Sequence, residues 1–490
     1  MLESSLFCDG CLLALKVAWG RTAGASESSP YPSKRRSGKI AHRRLSTGPT
    51  LTQGCWGLGM NSKRLAGDRR AIIAGVAGNV MEWYDFSVYG YFATNIGHHF
   101  FPTQDAVSSL IAAFGVFAAG FLMRPLGSLV FGHIGDKMGR KTALTASVAL
   151  MAIPTFLIGA LPTYQQIGVT ASVLLVLMRL LQGLSVGGEY TTSSIFLVER
   201  SAAGHRGFFG SFAEVGACSG ILLGSALSGL VTTVLDRAMV DSWGWRIPFL
   251  IGVTVGITGL YIRRHVIEET GPQRHHPGAA SPIREAFTEW RTILRLIALG
   301  AVGAVGFYMS FVYITTYLRQ VDHTAQSTAL DINTIAMAVL LLLLAPVGAL
   351  SDRFGRKPVL LIATGGMFLM AWPLFWMLHH NSPLVILFGQ IGFAVLSACF
   401  WGTIPSTMVE LVPARVRCTV LSVGYNTGMA ILGGLTPMVA VYTIKRSQYD
   451  LSPAFLLMAA AAISFVVVIA LRETYKMWLP GTAAVPAEAA

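Results

Sequence analysis

GHIGDKMGRK, residues 132–141, returns as GALSDRFGRK, residues 348–357. Each copy runs glycine, three residues, aspartate, a base, one residue, then Gly-Arg-Lys, and each is flanked by long apolar stretches. The glycines suit a tight turn between two helices. Asp136 and Asp352 are of the right charge to sit against the positive end of a helix. Arg140, Lys141, Arg356 and Lys357 suit a surface of lipid phosphates. A second, looser correspondence joins the halves: Glu199 precedes Arg206 by the same spacing as Glu410 precedes Arg417. Two corresponding halves built from apolar segments are the mark of a parallel-repeat membrane protein with its binding site between the halves.

Composition agrees. The chain has 490 residues, 53% hydrophobic and 12% charged, where a soluble protein carries about a quarter charged. A net charge of +13 raises nucleic acid as a partner, but the basic residues fall in short clusters between apolar runs, not on one solvated face. Cys8 and Cys11 form the one close cysteine pair and lack further ligands nearby, so no metal is expected.

A bilayer core takes about 20 apolar residues of helix. Such runs lie near 71–92, 106–131, 142–161, 167–190, 207–235 and 244–262, then 292–318, 330–350, 358–378, 384–408, 417–443 and 452–472. The expected fold is an all-α integral membrane protein of about twelve transmembrane helices in two six-helix pseudo-repeats. The expected organisation is an extension over 1–59, halves over 60–262 and 292–472, a central loop over 263–291 and a tail over 473–490. The extension reads as disordered, and Met60 followed by Asn-Ser-Lys-Arg suggests that translation begins there. With the N-terminus cytoplasmic, inner loops hold Lys137, Arg140, Lys141, Arg200, Arg206 and many further bases. Outer loops then hold Arg237, Arg319, Lys445 and Arg446, so both termini are expected inside.

Acids inside the spans need a reason, because an ionisable group in hydrocarbon costs several kcal/mol. GNVMEWYDF, residues 78–86, places Glu82 and Asp85 one helical turn apart, with Tyr89 on the same face. A carboxylate removed from water binds a proton more readily. Arg179, Gln182, Val186 and Glu189 share a face of the fourth span by spacing. Arg179 needs an anionic partner, which could be Glu82, Asp85, Glu189 or a substrate carboxylate. Arg124 reads equally as an interfacial or a gating base, and Trp243 and Trp245 as interfacial anchors. Tyr308, Tyr313 and Asn426 are polar groups able to line the opposite half of a cavity.

The repeated loop resembles the signature of the major facilitator superfamily. GNVMEWYDF, RPLGSLVFG (124–132), RLLQGLSVGGEY (179–190) and WGWRIPF (243–249) make residues 69–475 similar to its metabolite:proton symporter branch. The resemblance implies a non-enzymatic secondary transporter of a bacterial inner membrane, driven by the proton gradient and needing no cofactor. It implies a gate built from Gly132, Asp136, Gly139, Arg140, Lys141, Asp352, Gly355, Arg356, Lys357, Glu199, Arg206, Glu410 and Arg417. It also implies a proton-coupling role for Arg179 and Gln182, which with Glu82, Asp85 and Glu189 form the expected proton-coupling or substrate set. The fifth span lacks the Gly-Pro bend of antiporters, which favours symport. Partners are then a small substrate, protons and the bilayer, with no nucleic acid, and the sequence leaves the oligomeric state open. For substrate, stretches 115–127 and 182–190 resemble 2-oxoglutarate-type carriers, so a small organic acid is the first expectation. A zwitterionic osmolyte such as proline or glycine betaine is the alternative, suggested by GNVMEWYDF and GLYIRRHVIEET (259–270), and a non-transporting sensor is a third.

Overall fold

The computed structural model describes residues 62–138, 140–202, 204–266 and 288–475. The 1–59 extension, most of the 263–291 loop and the tail beyond 475 lie outside these. All the described residues are helical or connecting, with no strand among them. Among the described residues, nine helices are long and apolar enough to cross a membrane, and two shorter apolar ones span Ala146–Ala160 and Gly244–Thr258. With the first helix these make twelve spans. They are α1 (Ser62–Tyr91), α2 (Ala106–Ser128), α3 (Arg140–Ala160), α4 (Val169–Arg200), α5 (Arg206–Val234) and α6 (Ile247–Val266). The second half holds α7 (Trp290–Gln320), α8 (Gln326–Phe354), α9 (Arg356–Leu378), α10 (Pro383–Leu411), α11 (Arg417–Ser447) and α12 (Ser452–Ala470).

The internal repeat is visible in the packing. α1 lies on α5 and α6, α2 on α4, and α3 on α6; correspondingly α7 lies on α11 and α12, α8 on α10, and α9 on α12. Across the halves α5 packs on α8, and α2 on α11, its counterpart by the same relation. Large apolar side chains face outward on the peripheral spans, such as Ile153 and Phe156 on α3, Leu369 and Trp376 on α9, and Val466 on α12. That is the pattern of a lipid-facing surface.

Glycines set the helix crossings. A Cβ on Gly183 would stand 1.8 Å from the Gly120 carbonyl oxygen, and one on Gly187 2.1 Å from Ser128 N. The glycines of 120–127 and 183–187 therefore let the α2 and α4 backbones touch. On α5, a Cβ at Gly220 would fall 2.2 Å from the Val80 carbonyl oxygen, so α1 lies in the groove left by the small-residue stripe. Several spans are not regular helices, and three of the irregularities bear on the site. α4 breaks at Val186–Gly188, while α7 and α11 carry π-helical turns at Tyr308–Tyr313 and Met429–Gly433. The break interrupts the helix face expected to join Arg179 to Glu189. The π turns meet: a Cβ on Gly433 would stand 2.8 Å from the Tyr308 ring. Such turns re-aim side chains and recur at functional sites.

Candidate functional site

Two acid–arginine pairs lie fully buried where α1, α2 and α4 meet. Asp85 Oδ2 stands 3.2 Å from Arg179 Nη1. Gln182 donates to Asp85 Oδ1 at 2.8 Å, and the Thr155 hydroxyl lies 2.7 Å from the same oxygen. Arg179 Nη1 also donates to Gln182 Oε1 at 2.8 Å. Asp85 is thus the partner that the sequence left open among several. Glu82 Oε1 lies 3.1 Å from Arg124 Nη2. Burial of Arg124 corrects its interfacial reading: no part of it is exposed, because the close α2–α4 crossing carries it inward. Phe86 lies between the pairs, its ring centroid 4.7 Å from the Arg124 guanidinium and 4.8 Å from that of Arg179. Tyr89 lies under Arg179 at 4.3 Å, and its hydroxyl donates to the Ala113 carbonyl at 3.0 Å.

An acid in the apolar interior escaped the sequence reading. Glu214 on α5 is 1% exposed, accepts from the Tyr190 hydroxyl at 2.9 Å, and has the Cys218 thiol 3.6 Å from its other oxygen. The signal was available, an acid inside the glycine-rich fifth span. Thr155, also missed, looks like any apolar-span threonine in sequence. Glu189 begins the segment after the α4 break and is half-buried. On the opposite half, Tyr308 packs against Trp83 at 6.2 Å and Phe121 at 5.2 Å. Tyr313 is buried among Phe114 and Tyr317. Asn426 donates to the Gly187 carbonyl at 2.6 Å, which ties α11 to the α4 break. That contact makes it a strut between halves. Trp243 is half exposed, as an anchor should be, but Trp245 is buried against His99 and Phe249, a correction to its interfacial reading.

The loop motif of the second half is a cross-half lock. Asp352 accepts from Gly207 N and Phe208 N, both at 2.8 Å, so it caps the start of α5 in the other half. Gly355 has φ +104, a conformation that favours glycine. Buried Arg356 reaches Asp352 at 2.9 Å and Glu410 at 3.1 Å. Arg417 pairs with Glu199 across the halves, and Arg206 lies in Coulombic reach of Glu410. Lys357 Nζ donates to the carbonyls of Ile469 and Leu471. The first tail residues join in: Glu473 accepts from Arg356 N and Lys357 N, and Thr474 donates to Glu410 at 2.6 Å. Of the matching first-half motif, Gly139 and the side chains of Asp136, Arg140 and Lys141, with Gly132, lie outside the described residues. At the other end, Lys445 pairs with Asp105 and Arg319 lies 3.9 Å from Asp241. Between the ends, Asn333 donates to the Tyr91 hydroxyl at 2.9 Å and accepts from Gln390 at 2.6 Å. The halves therefore meet at both ends.

Comparison with known proteins agrees with this architecture. The family model described as Major Facilitator Superfamily matches residues 76–437 and 323–485. The chain belongs to the major facilitator superfamily. It is 38% identical over 428 residues to the proline/betaine transporter of Escherichia coli K12, covering 84% of this chain and 85% of that one. It is equally 38% identical over 428 residues, with the same coverage, to the glycine betaine/proline/ectoine/pipecolic acid transporter OusA of Dickeya dadantii. Among solved structures, the proton:xylose symporter XylE bound to 6-bromo-6-deoxy-D-glucose superposes with TM-score 0.67 at 15% identity, over 83% of this chain and 95% of that one. A partially occluded inward-open XylE from E. coli gives 0.63 at 17% identity, over 84% and 100%. These structures share the fold. The chain is thus a multi-pass membrane transporter and not an enzyme.

Proposed function

We propose that this transporter is a proton-coupled symporter of a small zwitterionic osmolyte, of the proline or glycine betaine kind. It would act by alternating access in a bacterial inner membrane, with the loop-motif end and both termini cytoplasmic. The observation that carries the substrate class is the charge count at the buried site. Glu82 and Asp85 pair with Arg124 and Arg179, and Glu214 is a third buried acid, so among the described residues of the site the acids outnumber the bases. A dicarboxylate would add two negative charges where negative charge is already in excess. A zwitterion adds none, and a co-transported proton removes the excess.

The organic-acid expectation therefore gives way to the osmolyte alternative, in keeping with relatives named for betaine and proline. The arginines support this. Arg179 Nη1 donates to both Asp85 and Gln182, while Arg124 has only its ion pair with Glu82, and both guanidiniums keep nitrogens without an acceptor among the described residues. Arg124, the less committed of the two, would take the substrate carboxylate. Proton uptake by the acidic site, followed by exchange of the two end locks, would alternate access.

The test is competition: uptake of labelled proline into cells expressing the chain should fall with excess glycine betaine and persist with excess 2-oxoglutarate. The reverse pattern would restore the organic-acid reading.

A further inference from the structure

Glu214 is a buried acid with no cation beside it among the described residues. Its two oxygens are met by neutral donors, the Tyr190 hydroxyl at 2.9 Å and the Cys218 thiol. A buried carboxylate in a dry interior calls for a positive partner. A metal ion is a poor candidate, because it would need several oxygen ligands and the nearest groups here are a phenol and a thiol.

Aromatic rings crowd the same place. Tyr190 stacks on Tyr425 of the other half, centroids 4.6 Å apart and planes 12° from parallel. Trp401 meets Tyr190 edge-on at 6.4 Å. Glu214, Arg124 and Glu82 all lie in Coulombic reach of Tyr425, whose buried hydroxyl has no hydrogen-bond partner among the described residues, as is also true of Arg124 Nε and of the Tyr308 hydroxyl. Tyr425 therefore links an acid and a neighbouring ring to Arg124, whose guanidinium keeps donors that no described residue accepts.

Resting on the zwitterion reading above, we infer that Glu214, with the rings of Tyr190 and Tyr425, forms the subsite for the cationic nitrogen of the substrate, and that Arg124 takes its carboxylate. A carboxylate attracts any ammonium, whereas ring faces favour a methylated, weakly hydrated one. The subsite would then select quaternary over primary nitrogen. Both elements come from different halves, since Tyr425 is on α11 and Glu214 and Tyr190 on α5 and α4, so occupancy would also draw the halves together.

The test measures ligand binding to the purified full chain by intrinsic tryptophan fluorescence. The probes are glycine betaine, unmethylated glycine and 3,3-dimethylbutyrate, the isostere of betaine with a neutral carbon in place of the cationic nitrogen. Wild type should bind betaine more tightly than either. Glu214→Gln should erase the preference for betaine over the isostere, and Glu214→Asp should restore part of it. Tyr425→Leu should keep that charge preference and lose roughly tenfold in preference for betaine over glycine. Wild-type betaine binding with both preferences intact in the variants would overturn this subsite alone. Absence of betaine and proline binding by wild type would overturn the zwitterion reading and the subsite with it.

Discussion

Arg417 of the second half pairs with Glu199 of the first. Their repeat counterparts do the converse, Arg206 of the first half facing Glu410 of the second. The equal spacing of acid and base in the two halves thus reflects a crossed exchange at one end of the bundle. Because Glu199 is 41% exposed, solvent screening leaves the pair worth about 0.5–1 kcal/mol. Arg417→Glu should reduce the population closed at that end about two- to fivefold. Adding Glu199→Arg should recover much of it, read as maleimide labelling of a cysteine placed at Ser422, which bonds Thr191 across the same boundary. Failure of the double variant to recover would show that the pair is incidental.

Asp85→Asn removes one member of a buried ion pair and strands Arg179 with Gln182 alone. Breaking such a pair costs about 3–5 kcal/mol. Thermal unfolding in detergent should show a clear fall in Tm. Arg179→Gln in the same chain should return most of the stability but not substrate accumulation, since both charges of the pair are gone. Full accumulation by the double variant would remove the pair from the coupling mechanism.

Gly207 touches the second half at its backbone. A Cβ there would stand 2.4 Å from the Gly348 carbonyl oxygen and 2.4 Å from Arg356 Nη1. Gly207→Ala is therefore incompatible with the closed lock but not with separated halves. The expected result is a several-fold rise in labelling at the Ser422 position, with the folded fraction unchanged on size exclusion.

Asp105, outside the spans, is held well below the ordinary carboxylate range, at about 2, first by its hydrogen bond from Lys445. A depressed carboxylate adds stability above its unfolded value and loses it as pH falls through the folded value. The pair is therefore fully formed at every pH above about 4 and is lost only toward pH 2. Asp105→Asn should leave the shape of the uptake–pH profile between pH 5 and 8 unchanged. A shifted midpoint would place this pair among the coupling groups.

Much of the fold was legible because membrane spanning imposes it. Apolar runs, the repeated Gly-Asp-Arg loop and the acids in 78–86 each follow from the cost of placing polar groups in hydrocarbon. The pairing of those acids was not legible. Which arginine answers Glu82 or Asp85 depends on how closely α2 and α4 cross, and that is set by Gly120, Gly127, Gly183 and Gly187 acting together. Helical spacing placed Glu189 with Arg179, but the break at Val186–Gly188 separates them in register. The π turn that aims Tyr308 has no simple sequence signal, and Asn426 proved a strut because its partner is a carbonyl 239 residues away.

Proton-driven uptake of a zwitterion is the activity proposed for this transporter. The most direct measurement is accumulation of labelled glycine betaine in proteoliposomes carrying the purified chain under an inward proton gradient. Betaine should accumulate above the external concentration, and the accumulation should collapse when a protonophore is added. Betaine entry that only equilibrates, unchanged by the protonophore, would contradict it.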